Sequence, residues 1–390
     1  MRRILALLMA FACLTVSGCA APAEEAGGTR LIALNVGKGD CLLLLVNGAA
    51  YLIDSGYDYT ANLLLEALRQ LEIDHLNGVF LSHCDRDHYG GLMALAQSEV
   101  AVDAWYAAAI YYDVTPGQHP AELAAAERGQ QVRYLNAGDT LRLPGETEIR
   151  VVGPLTVNTE NENNNSLVFY AETADGSLLF TGDMKLEEEY ALLEAGAFTA
   201  ADLLKVPFHG DNTASSQSFV ETVCPEAALI CTSAAQEPDT PASSILKRYG
   251  KAGAEVYVTQ DYRIGLELTL TSGQVSAREI AWELPDYTGA VTADIDSAED
   301  LLTLRSRMDA DLPLAGWIVY STRGSELIAL PEDAVLPAGG TYTLGTKATS
   351  AEVDLRLDIK RIWHKSKLDQ ALILDGSGLV AAITDNGKPE

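Results

Sequence analysis

Six residues, His83-Cys-Asp85-Arg-Asp87-His88, carry four side chains able to bind a metal, and they follow the apolar run Val79-Phe-Leu directly. Imidazole nitrogen and carboxylate oxygen suit zinc, and the oxygen-rich half also suits manganese or iron. Alternate positions on a loop that leaves a strand can converge on one point, which favours His83, Asp85 and Asp87 together and turns Cys84 away. Further candidates recur downstream in order, Asp183 in Thr181-Gly182-Asp183 and His209 in Phe208-His209-Gly210.

Such ligands need a rigid scaffold. The runs 31–36, 41–46 and 50–54 read as strands, the last two joined by Asn47-Gly48, a strong hairpin signal. A helix with Leu64, Leu68 and Leu71 on one face follows, and then the strand that delivers His83. A second hairpin is predicted across Asp175-Gly176, helices over 185–195 and 215–223, and strands over 203–206, 227–231, 255–258 and 264–270. Hairpins with interposed helices predict sheets covered by helices on their outer faces. After about residue 283 helical periodicity fades, and short strands separated by Pro331, Pro337, Gly339-Gly340 and Asp375-Gly376 predict a small β-sandwich.

The N-terminus carries an address. Met1-Arg-Arg, an apolar run over 4–16 and Ser17-Gly18-Cys19 form a secretion signal ending in a lipobox, with Cys19 as the lipidated residue. This predicts a bacterial lipoprotein, exported and anchored to the outer face of the cytoplasmic membrane or to the outer membrane. No other run reaches the ~20 apolar residues of a spanning helix. The reading divides the chain into signal 1–19, tether 20–29, an α/β part with the candidate metal ligands 30–280, linker 281–287 and β-sandwich 288–390. Of the remaining cysteines, Cys41 and Cys231 sit in apolar strand-like runs as buried thiols, and a Cys224–Cys231 bridge is an alternative. The formal charge of −28, from 27 basic and 55 acidic residues, repels polyanions from most of the surface, so nucleic acid could bind only locally or through metal.

Taken together these motifs resemble the metallo-β-lactamase fold, an αββα sandwich, and more narrowly the branch typified by the hydrolase domain of competence-type DNA-uptake channels. The resemblance covers roughly residues 30–275. It rests on Asn35-Val-Gly37-Lys-Gly39-Asp40, Leu52-Ile-Asp54-Ser-Gly56, the His-x-Asp-x-Asp-His motif, Asn163-Asn-Asn165-Ser166, Thr181-Gly182-Asp183 and Lys205-Val-Pro-Phe208-His209-Gly210. It implies two divalent ions, zinc or manganese, or a single one. Asp87, His88 and His209 would hold one ion, His83 and Asp85 would begin the other, and Asp183 would bridge them, with a hydroxide shared between the ions as nucleophile. Asp87 and Asp183 are the implied catalytic carboxylates. Asp40 and Asp54 would orient ligands, and Asn164, Asn165 and Ser166 would line the site or support it. The chain departs from the family pattern at Phe208 and Asp211, where His and Ser are usual, and in lacking a third histidine for the first ion. The tail, with Trp317, Leu336-Pro-Ala-Gly339 and Asp375-Gly-Ser-Gly378, resembles a lamin-tail-type immunoglobulin-like sandwich and implies a binding module for a protein partner not named by the sequence.

The implied function is a surface-anchored hydrolase of phosphodiesters, a nuclease in its most specific form. Its substrate would be a small-molecule or envelope phosphodiester, or DNA. Alternatives are a lactone, ester or β-lactam hydrolase of the same fold, or a non-catalytic envelope protein with an eroded metal site.

Overall fold

The computed structural model describes residues 28–112 and 114–389. Cys19, the expected lipidation site, lies outside the described residues. None of the described helices is long and apolar enough to cross a membrane.

Two sheets dominate. The first has eight strands in the order Gln274–Glu279, Gly265–Thr271, Thr29–Leu34, Cys41–Val46, Ala49–Ser55, Gly78–Leu81, Trp105–Ala108 and Val132–Leu135. The second has seven, in the order Glu255–Val258, Ala227–Ile230, Leu203–Lys205, Gly176–Phe180, Val168–Thr173, Thr147–Gly153 and Thr140–Leu143. The first strand begins at Thr29, the last residue of the predicted tether, because the Thr29 side chain is buried against Thr173 and Asp175.

Strand alternation sorts the apolar residues into layers. Leu31, Leu42, Leu44, Tyr51 and Phe80 of the first sheet meet Val151, Phe169, Phe180 and Leu229 of the second in a shared core. Their neighbours Ile32, Leu34, Leu43 and Leu52 point outward onto helices Ala61–Gln70, Leu92–Gln97 and Pro120–Glu127. On the far side, Leu179, Leu204 and Ala228 pack against Leu192, Phe219 and Tyr249 of three more helices. The result is an αββα sandwich. Because both faces of the central strands are covered, Cys41–Val46 reads CLLLLV rather than alternating with polar residues.

The C-terminal region is all β. Two four-stranded sheets, one built on Leu301–Ser306 and the other on Gln370–Leu374, enclose Trp317, Trp363, Leu302, Val319 and Ile373. This region packs on the sandwich: Leu379 joins the helix-side core, and Tyr59 stacks between Tyr57 at 4.6 Å and Tyr320 at 4.1 Å. Cys41, Cys84, Cys224 and Cys231 are free thiols, so the Cys224–Cys231 bridge is absent.

Candidate metal centre

Strand direction gathers the site. Gly78–Leu81 runs parallel to both its neighbours, as does Leu203–Lys205 in the other sheet, so the loops after them emerge at one end of the sandwich. The loop over 82–91 and the loop over 181–185 meet there. Leu167 N–H donates to the Ser82 carbonyl at 2.8 Å, tying the two sheets together beneath the site. Gly182 has φ +50°, and a Cβ there would lie 2.8 Å from Ser166 and 2.9 Å from Ser82, so glycine lets the loops close on each other.

Asp87, His88, Asp183 and His209 form a buried group whose ligand atoms all lie within 4.8 Å of one another. Asp183 Oδ2 is 3.3 Å from His88 Nε2 and 2.9 Å from His209 Nε2, and Asp87 Oδ2 is 3.4 Å from His209 Nε2. His209 reaches the group through a strained turn: Phe208 and His209 both have positive φ (47° and 53°), a conformation rare for residues with side chains.

The tautomers follow from the neighbours. His209 Nδ1 meets the Cys231 carbonyl at 2.7 Å, and His88 Nδ1 meets Asp54 Oδ2 at 2.7 Å; both partners only accept, so both Nδ1 atoms carry hydrogen. Ser82 Oγ donates to Asp54 Oδ2 at 2.7 Å and is left to accept from His83 Nδ1 at 3.0 Å. The Nε2 atoms of His83, His88 and His209 are then free to act as ligands. All three are buried and, among the described residues, meet no polar partner beyond the carboxylates that face them. Three orphaned imidazole nitrogens beside carboxylates suit a divalent cation, which would satisfy groups that otherwise cost free energy unpaired.

Without a cation, protons serve instead. Burial alone would lower His209, but the Asp183 carboxylate outweighs it and lifts the imidazole to about 9; His88 is raised well above its ordinary value, against its own burial, by Asp183, Asp54 and Asp87. Burial pushes Asp183 up, yet His209, His88 and Lys205 hold it well below the usual carboxylate range.

His83 and Asp85, expected to begin a second ion's cage, face each other at 3.4 Å, with the His83 ring 4.3 Å from that of His88. They stand beside the four-residue group and are not part of it. The carboxylates placed in supporting roles divide the work. Asp54 holds His88 and the Ser82 amide, while Asp40 pairs with Lys205 Nζ at 2.5 Å. The Asn-rich segment serves the loops: Ser166 Oγ accepts from Asp183 N–H and Asn164 Oδ1 from Lys185 N–H, whereas the Asn165 amide donates to Asn158 O and Glu162.

Sequence reasoning passed over two residues. Lys205 is 2 % exposed and its ammonium reaches Asp40, the Gly182 carbonyl and, at 3.4 Å, Asp183 Oδ1, the oxygen turned away from the histidines. A lysine inside the apolar strand Leu203–Lys205 was the available signal. Glu162 receives Tyr112 N–H and Asn165 on one oxygen, while its other oxygen is buried with no partner among the described residues. His75, His119 and His364 lie elsewhere: His75 pairs with Asp103, His119 packs edge-on to Tyr111 and Tyr134, and His364 accepts from two backbone amides.

Comparison with known proteins agrees with this architecture. The sequence profile of the Metallo-beta-lactamase superfamily matches residues 34–234. The chain is similar to ComE operon protein 3 of Bacillus subtilis, 27 % identical over 43 % of this chain and 21 % of that protein. It is also similar to Recombination protein 2 of Haemophilus influenzae, 26 % identical over 62 % of this chain and 28 % of that protein. The chain thus spans about a quarter of the length of these relatives. Among solved structures, Igni18, a metallo hydrolase from Ignicoccus hospitalis, aligns with a TM-score of 0.40 at 14 % identity, covering 65 % of this chain and 99 % of that one. With more than half of its residues matched by the profile and an αββα sandwich around the ligand group, this chain belongs to the metallo-beta-lactamase superfamily of metal-dependent hydrolases.

Proposed function

We propose that the chain is a metal-dependent phosphodiesterase, a nuclease in its most specific form, whose metal ligands are Asp87, His88, Asp183 and His209, with His83 and Asp85 able to receive a second ion. The observation that carries the proposal is the oxygen-rich ligand set. Asp85 stands where a histidine is usual in lactone and β-lactam hydrolases, and carboxylate-rich sites suit the hard cations that accompany phosphate chemistry. Similarity to a relative named for recombination supports a nucleic-acid phosphodiester, and the formal charge of −28 favours a small or locally engaged one.

A divalent cation bound here supplies Lewis acidity and lowers the pKa of a water molecule. The chain's own residues prepare the ground. Asp54 and the Cys231 carbonyl fix the tautomers of His88 and His209. Lys205 offsets the charge of Asp183 on its far oxygen. Asp87, at 9 % exposure, is the member of the four-residue group with most access to solvent, against 0–2 % for the others, so it is placed to accept a proton from the substrate side. By extension of the sequence reading, Cys19 anchors the protein to a membrane surface and the C-terminal sheets form a lamin-tail-like module.

Protein loaded with manganese or zinc is expected to hydrolyse bis-p-nitrophenyl phosphate, and Asp183→Ala to abolish that turnover while retaining the fold. Metal bound without turnover of any phosphodiester, alongside cleavage of nitrocefin or a lactone, would overturn the proposal.

A further inference from the structure

Beside the ligand group sits an arrangement that the metal chemistry leaves unused. Phe208, which immediately precedes His209, is half-buried, and two ammonium groups lie over its ring: Lys185 Nζ at 4.4 Å and Lys38 Nζ at 5.8 Å from the centroid. The two cations come from opposite sheets. Lys38 stands in the loop before Cys41–Val46, two residues from Asp40; Lys185 follows Asp183 by two residues.

Both loops are anchored independently of their lysine side chains. Lys38 N–H donates to Gln236 at 2.7 Å, and Asp40 N–H donates to the Asp87 carbonyl at 3.2 Å. A Cβ on Gly39 would lie 2.7 Å from that same carbonyl, so the lysine-bearing loop is pressed against the metal-binding loop. Lys185 N–H donates to Asn164 at 3.0 Å. Phe208 is itself fixed by its left-handed backbone and by an amide hydrogen bond to the Gly182 carbonyl at 3.4 Å.

Two like charges over one aromatic ring is an unfavourable arrangement unless something compensates for it. The ring quadrupole does so in part. Lys38 lies 3.7 Å from Glu237, a carboxylate that is half exposed, and Lys185 has no ion pair among the described residues. The setting carries four carboxylates, Asp40, Asp85, Asp87 and Asp183, against the one buried ammonium of Lys205, in a chain with twice as many acids as bases. An anionic substrate approaching those carboxylates would be repelled, and here two of the chain's few cations stand at the group it must reach.

We infer that Lys38 and Lys185, held apart across the Phe208 ring, form a clamp for the phosphate oxygens of an anionic phosphoester substrate. The inference rests on the phosphodiester reading above and deepens it by naming the residues that counter the protein's acidity. The phosphoester displaces Glu237 from Lys38 and engages Lys185, while the ring keeps both stems oriented. The lysines act in substrate binding; they are not ligands and they carry no proton in the reaction.

The test uses the full chain loaded with manganese, as wild type, K38Q/K185Q and K38R/K185R. With bis-p-nitrophenyl phosphate, the double glutamine variant is expected to raise KM about tenfold, to lower kcat by no more than about threefold, and to flatten the rise of KM with salt seen in the wild type; the double arginine variant should restore all three. Inorganic phosphate, titrated calorimetrically into the same three proteins, separates this inference from the reading beneath it. If the wild type turns over the diester but the glutamine variant keeps its KM within twofold, the clamp is wrong and the phosphodiesterase reading stands. If no diester is hydrolysed, phosphate binding decides: affinity that is lost in the glutamine variant and regained in the arginine variant supports the clamp, and equal or absent binding overturns it.

Discussion

Replacing Asp54 by asparagine tests whether the protein holds its metal through the tautomer of His88. Asp54 accepts three hydrogen bonds of 2.7 Å, from Ser82 N–H, Ser82 Oγ and His88 Nδ1. Its backbone has φ +53°, a conformation asparagine tolerates better than most residues, so the substitution is nearly isosteric and costs the main chain little. The amide oxygen can keep the Ser82 N–H; the amide nitrogen then faces His88 Nδ1, donor against donor. The imidazole must either lose that bond or move its hydrogen to Nε2, which withdraws a ligand lone pair. A hydrogen bond to a charged group contributes about 1.5–3 kcal/mol, and loss of a ligand-orienting carboxylate typically weakens metal binding about 10- to 100-fold, or roughly 1.4–2.7 kcal/mol. The two figures agree. Competition with a chromophoric chelator at pH 7.5 measures the zinc affinity of wild type and Asp54→Asn directly, and circular dichroism checks that the fold persists. An affinity within twofold of wild type in a folded variant would refute the argument.

Asp40→Asn should destabilise the metal-free protein by about 3 kcal/mol in urea unfolding, because it removes the negative charge 2.5 Å from a buried ammonium; Lys205→Met in the same chain should return part of the loss, and a change under about 1 kcal/mol would count against the pair. Metal uptake should release protons. His209, raised to about 9 against an ordinary 6.5, is protonated at neutral pH in the metal-free protein, so metal affinity should climb about tenfold per pH unit for that proton between 6.5 and 9. Calorimetry at pH 7.5 in two buffers of different ionisation enthalpy counts those protons, and none released would be the contrary result. The same raised value means that the His209–Asp183 contribution to metal-free stability is complete below pH 6.5 and is lost as pH rises through about 9.

Legibility followed sequence separation. His83, Asp85, Asp87 and His88 share one short loop, so their types and spacing announced a metal site before any fold was known. The solid apolar runs gave strands, and only their burial on both faces explains the missing alternation. The meeting of His88 with Asp183 and His209 depends on which strands are parallel neighbours, and family resemblance rather than pattern placed it. Lys205, quoted within a motif, received no role because a lysine at the end of an apolar strand has meaning only once Asp40, 165 residues earlier, is seen opposite it. The asparagine run drew attention to its amides, while the unpartnered oxygen beside it belongs to Glu162, an ordinary surface residue by sequence. Lys38, Lys185 and the Phe208 ring between them lie in three separate segments and share no pattern at all.

The stacked tyrosines give the C-terminal sheets a stake in the metal loop. Arg86, between the two aspartates of that loop, bonds Asp58 at 2.7 Å and lies 5.3 Å from the Tyr320 ring centroid, so a residue of the all-β region braces the loop from outside. A fragment ending near residue 287 would surrender that brace, uncover Tyr59, and open the helix-side core where Leu379 now sits. Excising the 30–280 part as a stand-alone unit would therefore loosen the loop that carries the candidate ligands, which the C-terminal sheets reach through Tyr320 and Arg86.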